Sequence, residues 1–171
     1  QLEIDRSFPL IAWQAGGDKM AYIYEHKSEV YLCMLDLINK KTEKIRFLKF
    51  DKITGIDFSD NGRTIVLSAI RKGQSDIFTY DIPTRKEKQL TFDFWDDINP
   101  RFSDYSTKIL FSSNRKRDSL GVGNRTELDA SNNYDVFQYD LETGSPKLKR
   151  LSKTPFINET QAQQYTKDYY T

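Results

Sequence analysis

The residues able to do acid–base or nucleophilic chemistry are few in this chain, and their positions do not suit catalysis. His26 is the only histidine among 171 residues, and it lies in Glu25–Ser28, a predicted turn between two strands. No Gly-x-Ser-x-Gly sequence is present, so a serine nucleophile would lack the strained turn that exposes it in such hydrolases. Cys33 stands in a predicted strand, which favours a buried, inert thiol. The sequence therefore predicts that the protein is not an enzyme and that it carries no cofactor.

Carboxylates are numerous, but their spacing indicates a structural role. Neighbouring residues on a strand face opposite sides, so Asp96 and Asp97 are not expected to converge on one substrate. The stretch 129–135 has closely spaced oxygen ligands, yet the glycine and glutamate of a calcium-binding EF-hand loop are out of register, so no metal site is predicted. Four other aspartates recur at equivalent strand ends, which favours a role in turns: Asp76, Asp81, Asp135 and Asp140.

Composition and charge narrow the classes of partner. The chain has 26 lysines and arginines against 25 aspartates and glutamates, a net charge of +1. This balance argues against a general nucleic-acid binder, which would show a basic face, and against attraction to an acidic membrane surface. The apolar runs are too short to span a bilayer, so no membrane-spanning segment is predicted. Ten tyrosines and eleven phenylalanines favour pleated, half-buried strands.

A repeat predicts the elements that position these residues. Trp13, Phe58 and Phe102 recur at intervals of 45 and 44 residues, and Asp36 and Asp81 also lie 45 residues apart. In the middle unit, four short runs are separated by turn residues, and they cover 53–58, 64–70, 76–82 and 88–91. A period of about 40–45 residues with four short strands is typical of a β-propeller blade. The sequence therefore predicts an all-β chain in which each unit is a four-stranded antiparallel blade.

The repeat also predicts approximate limits for the units. We expect three complete blades and an incomplete fourth, at about residues 1–50, 51–91, 92–154 and 155–171. The third blade carries an insertion, and the fourth begins with strands expected at 159–166 and 168–171. Because three blades and a fragment cannot close a ring, we expect this chain to be part of a longer protein. Open blade edges also predict self-association.

Several segments carry a family resemblance. Phe58-Ser-Asp-Asn-Gly62, Ser112-Ser-Asn-Arg115, Asp76-Ile-Phe-Thr-Tyr-Asp81 and Gln89-Leu-Thr91 together resemble the WD40-like repeat of TolB-type propellers. The second proline of the family pattern is missing in every unit of this chain. The resemblance implies part of a six-bladed propeller in a bacterial envelope protein, located in the periplasm or associated with the outer membrane. Such propellers usually serve as docking platforms, and the same repeat also stands beside catalytic domains.

The geometry of a blade predicts where a partner binds. In a four-stranded antiparallel sheet, the loop between the second and third strands emerges at the same end as the connection to the next blade. Here that end collects the insertion 116–133 and the connections 92–97 and 155–159. Long polar loops on a compact scaffold are frequently functional, with disorder as the alternative. Candidate binding residues on this face are Phe94, Trp95, Asp96, Asp97, Arg115, Lys116, Arg117, Arg125, Glu127, Phe156 and Glu159.

The two aromatic residues of the first connection have two interpretations. Phe94 and Trp95 lie among aspartates, an arrangement that suits aromatic anchors with a polar rim. Alternatively, both rings fill the space between neighbouring blades. The basic clusters Arg115-Lys-Arg117 and Lys147-Leu-Lys-Arg150 suit either solvated strand ends or electrostatic steering of a partner.

These observations favour a non-catalytic protein-interaction scaffold of the TolB-like WD40 type, with a protein of the cell envelope as its partner. One alternative is a propeller domain that gates or positions substrate for an enzyme domain outside this chain, such as a prolyl-oligopeptidase-like peptidase. A further alternative is a carbohydrate- or peptidoglycan-binding module in which Trp95 stacks on sugar rings.

Overall fold

The computed structural model describes residues 9–47, 49–121, 133–142, 147–166 and 169–170. Within these residues every regular element is a β-strand, and no helix is long and apolar enough to cross a membrane. The strands are β1 (Leu10–Trp13), β2 (Lys19–His26), β3 (Glu29–Asp36), β4 (Lys41–Phe47), β5 (Lys52–Phe58), β6 (Thr64–Arg71), β7 (Gln74–Asp81), β8 (Lys86–Gln89), β9 (Asp97–Ser103), β10 (Lys108–Ser113), β11 (Asp135–Asp140), β12 (Lys147–Arg150), β13 (Gln164–Thr166) and β14 (Tyr169–Tyr170).

The strands pair into three four-stranded sheets and one two-stranded sheet. The orders are β1-β2-β3-β4, β5-β6-β7-β8, β9-β10-β11-β12 and β13-β14. All pairs are antiparallel, so each sheet is a simple up-and-down meander. The predicted all-β fold of four-stranded blades, with the beginning of a fourth, is therefore confirmed. In the fourth unit, the strand expected at 159–166 begins only at Gln164.

The middle sheet is buried on both faces, which explains its nearly continuous apolar sequence. Ile65, Val66 and Leu67 on β6 are all fully buried. Because side chains alternate along a strand, Ile65 and Leu67 pack into a core shared with the first sheet, whereas Val66 packs into a core shared with the third. Stacked sheets with a shared core on each side are the arrangement that propeller blades require.

Turns between the first and second strands of each blade tie neighbouring blades together. In the second blade, Gly62 has a φ of 65°, and the Ser59 hydroxyl donates to Asn61 Oδ1 at 2.8 Å. The third blade has no glycine there, and Tyr105 and Ser106 themselves adopt positive φ, so the two turns differ as the sequence predicts. Ser106 Oγ accepts the backbone N–H of Asp60 at 2.7 Å, which joins the two turns across the blade interface.

The opposite end of the blades carries the loops between second and third strands and the connections between blades. We call this end the connection face, and its described segments are 27–28, 49–51, 72–73, 90–96, 114–121, 133–134 and 151–163. Hydrogen bonds between a loop and a connection confirm that they share one end: Asn114 N donates to Asp96 O, and Glu159 N donates to Tyr134 O at 2.7 Å.

The first blade leaves apolar side chains uncovered on the side away from the second blade. Ile11 and Trp13 on β1 are 49% and 54% exposed. Ala12, which faces the second blade, is buried. Self-association through this edge stays a prediction.

Candidate binding face

Two successive connections on the connection face expose apolar side chains. Phe92 and Phe94 are 75% and 40% exposed in the connection between the second and third blades. In the connection that follows the third blade, Phe156 and Ile157 are 87% and 56% exposed. Single exposed apolar residues are ordinary on protein surfaces, but grouped ones at one end of a scaffold indicate an interaction surface.

Three of the predicted binding residues lie inside the protein instead. Trp95 is 3% exposed, Asp97 is fully buried, and Arg115 is 1% exposed. None of these three side chains lines the solvent-open pocket that Asp76, Phe92 and Phe94 help to form, so the structure does not favour their direct contact with a partner. The burial of Trp95 fits the interpretation that its ring fills space between blades, and it removes the ring that a sugar would stack on. Phe94, its neighbour in the same bend, is 40% exposed.

Arg115 lies at the centre of a buried polar cluster between the second and third blades. Its Nη2 donates to both carboxylate oxygens of Asp97 at 2.6 and 2.8 Å, and its Nη1 donates to Asp93 Oδ2 at 3.1 Å. The Nε donates to the Ser113 hydroxyl at 2.9 Å. A guanidinium held by two carboxylates and a hydroxyl has most of its donors satisfied, which is why it tolerates complete burial.

This cluster holds more carboxylates than cations, and the pKa values of its carboxyl groups are raised. Burial raises the pKa of Asp97 to about 6, although Arg115 opposes the rise. Burial also raises the pKa of Asp93, again against Arg115. Asp76 lies next to both, and burial together with the charges of Asp97 and Asp93 raises its pKa to about 7. The carboxyl groups of this junction therefore hold their protons at a higher pH than exposed carboxyl groups do.

A solvent-open pocket of about 490 Å³ gives access to the edge of this cluster. Phe92 and Phe94 contribute apolar walls, and Asp76 and Asp93 contribute carboxylates. The remaining lining comes from β6, β7 and the turn between them: Arg71, Lys72, Gly73 and Gln74. Of these residues, sequence reasoning singled out only Phe94 as a binding candidate and assigned Asp76 to a turn. Asp76 could have been predicted as a binding residue from two features of the sequence. It holds the same repeat position as Asp135, and the connection 92–97 follows its blade.

The other predicted residues are distributed over the connection face. Asp96 accepts a hydrogen bond from Gln74 Nε2 at 3.0 Å and donates its backbone N–H to Asn114. Lys116 is half-buried and Arg117 is exposed. The Glu159 carboxylate accepts the Thr154 hydroxyl at 2.8 Å. Arg125 and Glu127, like most of the insertion 116–133, lie outside the described residues.

Of the residues considered for catalysis, His26 lies next to the connection face and Cys33 is buried. His26 is exposed at the end of β2, and Cys33 is a buried free thiol, as the sequence predicts. Within the described part of the chain, no three histidine, cysteine, aspartate or glutamate side chains are arranged to hold a metal ion.

Comparison with known proteins gives matches among solved structures. A scan against protein-family models and a search of curated proteins find no match. TolB from Acinetobacter baumannii is similar, with a TM-score of 0.67 and 21% identity over 91% of this chain and 34% of that one. The tricorn protease matches with a TM-score of 0.57 and 23% identity over 85% of this chain and 15% of its own. The β-propeller domain of the Trilobed protease from Pyrococcus furiosus matches with 0.53 and 14% over 86% and 42%.

These similarities show the fold. The chain consists of β-propeller blades, in agreement with its sheet topology. It spans about a third of the TolB structure, namely 34% of that chain.

Proposed function

We propose that this chain is a non-catalytic protein-interaction scaffold of the TolB-like type and that a partner docks on its connection face. The observation that carries the proposal is the exposure of apolar side chains by two successive connections at the same end of the blades. These side chains are Phe92, Phe94, Phe156 and Ile157. The resemblance to TolB-type repeats supports a partner in the bacterial envelope, in the periplasm or at the outer membrane.

Buried contacts hold the first connection in place, which favours tight docking. Trp95 anchors the first connection in the blade interface, and the Asp93 carboxylate in the same connection pairs with buried Arg115. A preorganised loop loses little conformational entropy when a partner binds. Burying one phenyl ring contributes about 1.5–3 kcal/mol, so two or three rings supply a useful fraction of a specific binding energy.

A crosslinking pull-down from an envelope extract tests the proposal with matched variants. Phe92→Ser combined with Phe156→Ser removes one exposed ring from each connection. Tyr105→Ser is the control, because Tyr105 is 82% exposed at the opposite end of the blades. We expect the parent and the control to recover the same protein, and the double variant to recover it at least tenfold less. Equal recovery by all three would contradict docking on this face.

A second candidate is a propeller domain that positions substrate for a separate enzyme domain. It is favoured by the similarity to the tricorn protease and to the propeller domain of the Trilobed protease. A Gly-x-Ser-x-Gly sequence in a longer polypeptide that contains this chain would favour the second candidate over the scaffold.

A further inference from the structure

Two aspartates hold the same place in successive blades but have different partners. Asp76 opens the sequence Asp76-Ile-Phe78 on β7, and Asp135 opens Asp135-Val-Phe137 on β11. Asp76 is opposite Ala69 on the preceding strand, and Asp135 is opposite Ser113, its repeat equivalent 44 residues later. Both aspartates are 4% exposed. The blades therefore contain two copies of one buried carboxylate position.

In the third blade this carboxylate is neutralised by an arginine of the same blade. Arg150 forms an ion pair with Asp135, and its guanidinium lies over the Phe137 ring at 5.4 Å from the centroid. An arginine that combines a carboxylate with an aromatic face makes one of the stronger contacts available to a cation.

In the second blade the equivalent residue is neutral. Leu90 N bonds to Ile77 O as Leu151 N bonds to Val136 O, which makes Gln89 the counterpart of Arg150. The Gln89 amide donates to Asp76 at 3.0 Å, and the Thr91 hydroxyl donates to it at 3.4 Å. Asp76 therefore keeps its hydrogen bonds but lacks the cation that the third blade supplies.

The cations near Asp76 are committed elsewhere or exposed to solvent. Arg115 is shared by Asp93 and Asp97, and Arg71 pairs with Glu87 at 3.2 Å while stacking over two phenyl rings. Lys72 is exposed on the turn at the pocket rim. Asp93 and Asp97 are paired with Arg115, and Glu87 is paired with Arg71. Asp76 is buried at the pocket, and its described contacts are hydrogen bonds without an ion pair, so a cation would complement it.

We propose that the pocket formed by Asp76, Phe92 and Phe94 binds an arginine side chain of the docked protein. The incoming guanidinium meets the Asp76 carboxylate as Arg150 meets Asp135. Phe78, the counterpart of Phe137, is already covered by Arg71, which also donates to Gln89 Oε1 at 3.5 Å, so the exposed Phe92 and Phe94 rings supply the aromatic wall instead. The inference deepens the proposed docking function and rests on it. A lysine side chain of the docked protein is the alternative cation, and the experiment below distinguishes it from arginine.

The test measures binding of short labelled peptides to the full chain by fluorescence anisotropy at pH 8. The peptides are acetyl-Gly-Arg-Gly-amide, its citrulline analogue, which has nearly the same shape without charge, and its lysine analogue. We expect the arginine peptide to bind at least tenfold more tightly than the citrulline peptide, and more tightly than the lysine peptide. Equal affinities for the arginine and citrulline peptides would overturn the proposal. Tighter binding of the lysine peptide would indicate an ammonium ligand, and it would overturn the analogy with the Arg150–Asp135 pair.

A substitution that supplies the missing cation internally gives the sharpest control. Gln89→Arg recreates the pair seen in the third blade, so it should occupy Asp76 and weaken the arginine peptide at least tenfold without lowering Tm. Lys88→Arg is the matched variant, because it adds a guanidinium at the adjacent exposed position and should leave binding unchanged. Asp76→Asn should also weaken binding at least tenfold. Retained binding in Gln89→Arg, with its fold intact, would refute the site.

The outcome is distinguishable from failure of the docking function. If the Phe92 and Phe156 double variant loses the pulled-down protein while Gln89→Arg retains it, the connection face docks a partner but the arginine pocket is wrong. If the double variant retains the protein, the docking function itself is wrong, whatever the peptides show.

Discussion

Replacing Arg115 by methionine should destabilise the junction between the second and third blades more than a substitution at the surface does. The substitution keeps an apolar stem between Phe111 and Phe137, whose ring centroids each lie 5.6 Å from the guanidinium carbon. It removes the cation that pairs with Asp97 among the described residues, where Asp97 is fully buried, and it also removes the cation that pairs with Asp93. The variant thus leaves two carboxylates without their counter-ion.

The expected cost follows from that uncompensated charge. Removing one partner of a buried ion pair costs about 3–5 kcal/mol. For a chain of this length, each kcal/mol lowers Tm by about 2–4 °C, so the expected fall is roughly 6–20 °C at pH 8. The matched control is Arg85→Met, because Arg85 pairs with Glu43 at the surface and its side chain is 69% exposed. An exposed pair of this kind is worth about 0–1 kcal/mol.

Urea unfolding, followed by tryptophan fluorescence at pH 8 and pH 5, measures both the cost and its cause. Asp97 has a pKa raised to about 6 by burial even beside Arg115, and losing Arg115 raises it further. At pH 5 this carboxyl is therefore protonated in the folded variant and needs no cation. We expect the deficit of Arg115→Met to shrink at pH 5. A cost below 1 kcal/mol at pH 8, or an equal cost at both pH values, would refute the reasoning.

Two further substitutions test the junction and the packing. A raised folded pKa of about 7 means that Asp76 contributes stability below about pH 4 and loses it as pH rises through 7. Asp76→Asn should therefore gain roughly 1–2 kcal/mol on the parent between pH 5 and pH 8 in urea titrations, and a pH-independent difference would contradict this. Gly55→Ala would place Cβ 2.8 Å from Ser68 Oγ and 3.0 Å from Pro100 Cδ, and should cost about 1–3 kcal/mol. Gly16→Ala, whose nearest neighbour is 3.7 Å away, should change the free energy of unfolding by less than 0.5 kcal/mol.

Much of the architecture follows from local patterns along the sequence. The recurrence of Trp13, Phe58 and Phe102 predicts the blades, and the three complete sheets confirm them. The apolar run around Val66 predicts a strand covered on both faces, because such a run leaves no polar side for water. Up-and-down pairing then places the described loops between second and third strands at the same end as the connections, since each antiparallel strand reverses the chain direction.

The candidate site depended on contacts between blades, which no local pattern specifies. Phe94 and Trp95 are equally apolar neighbours, and only the position of the adjoining blade decides that Trp95 is buried and Phe94 exposed. Arg115 belongs to a residue type that is usually solvated in loops. It is buried here because it pairs with Asp93 and Asp97, which precede it in the chain. The raised pKa of Asp76 also arises only when burial and the charges of these carboxylates combine in one junction. The sequence by itself determined the strands and their order, because alternation and turns act over a few residues. The electrostatics of the junction were decided by the tertiary structure, because charges interact through space and burial strengthens their interaction.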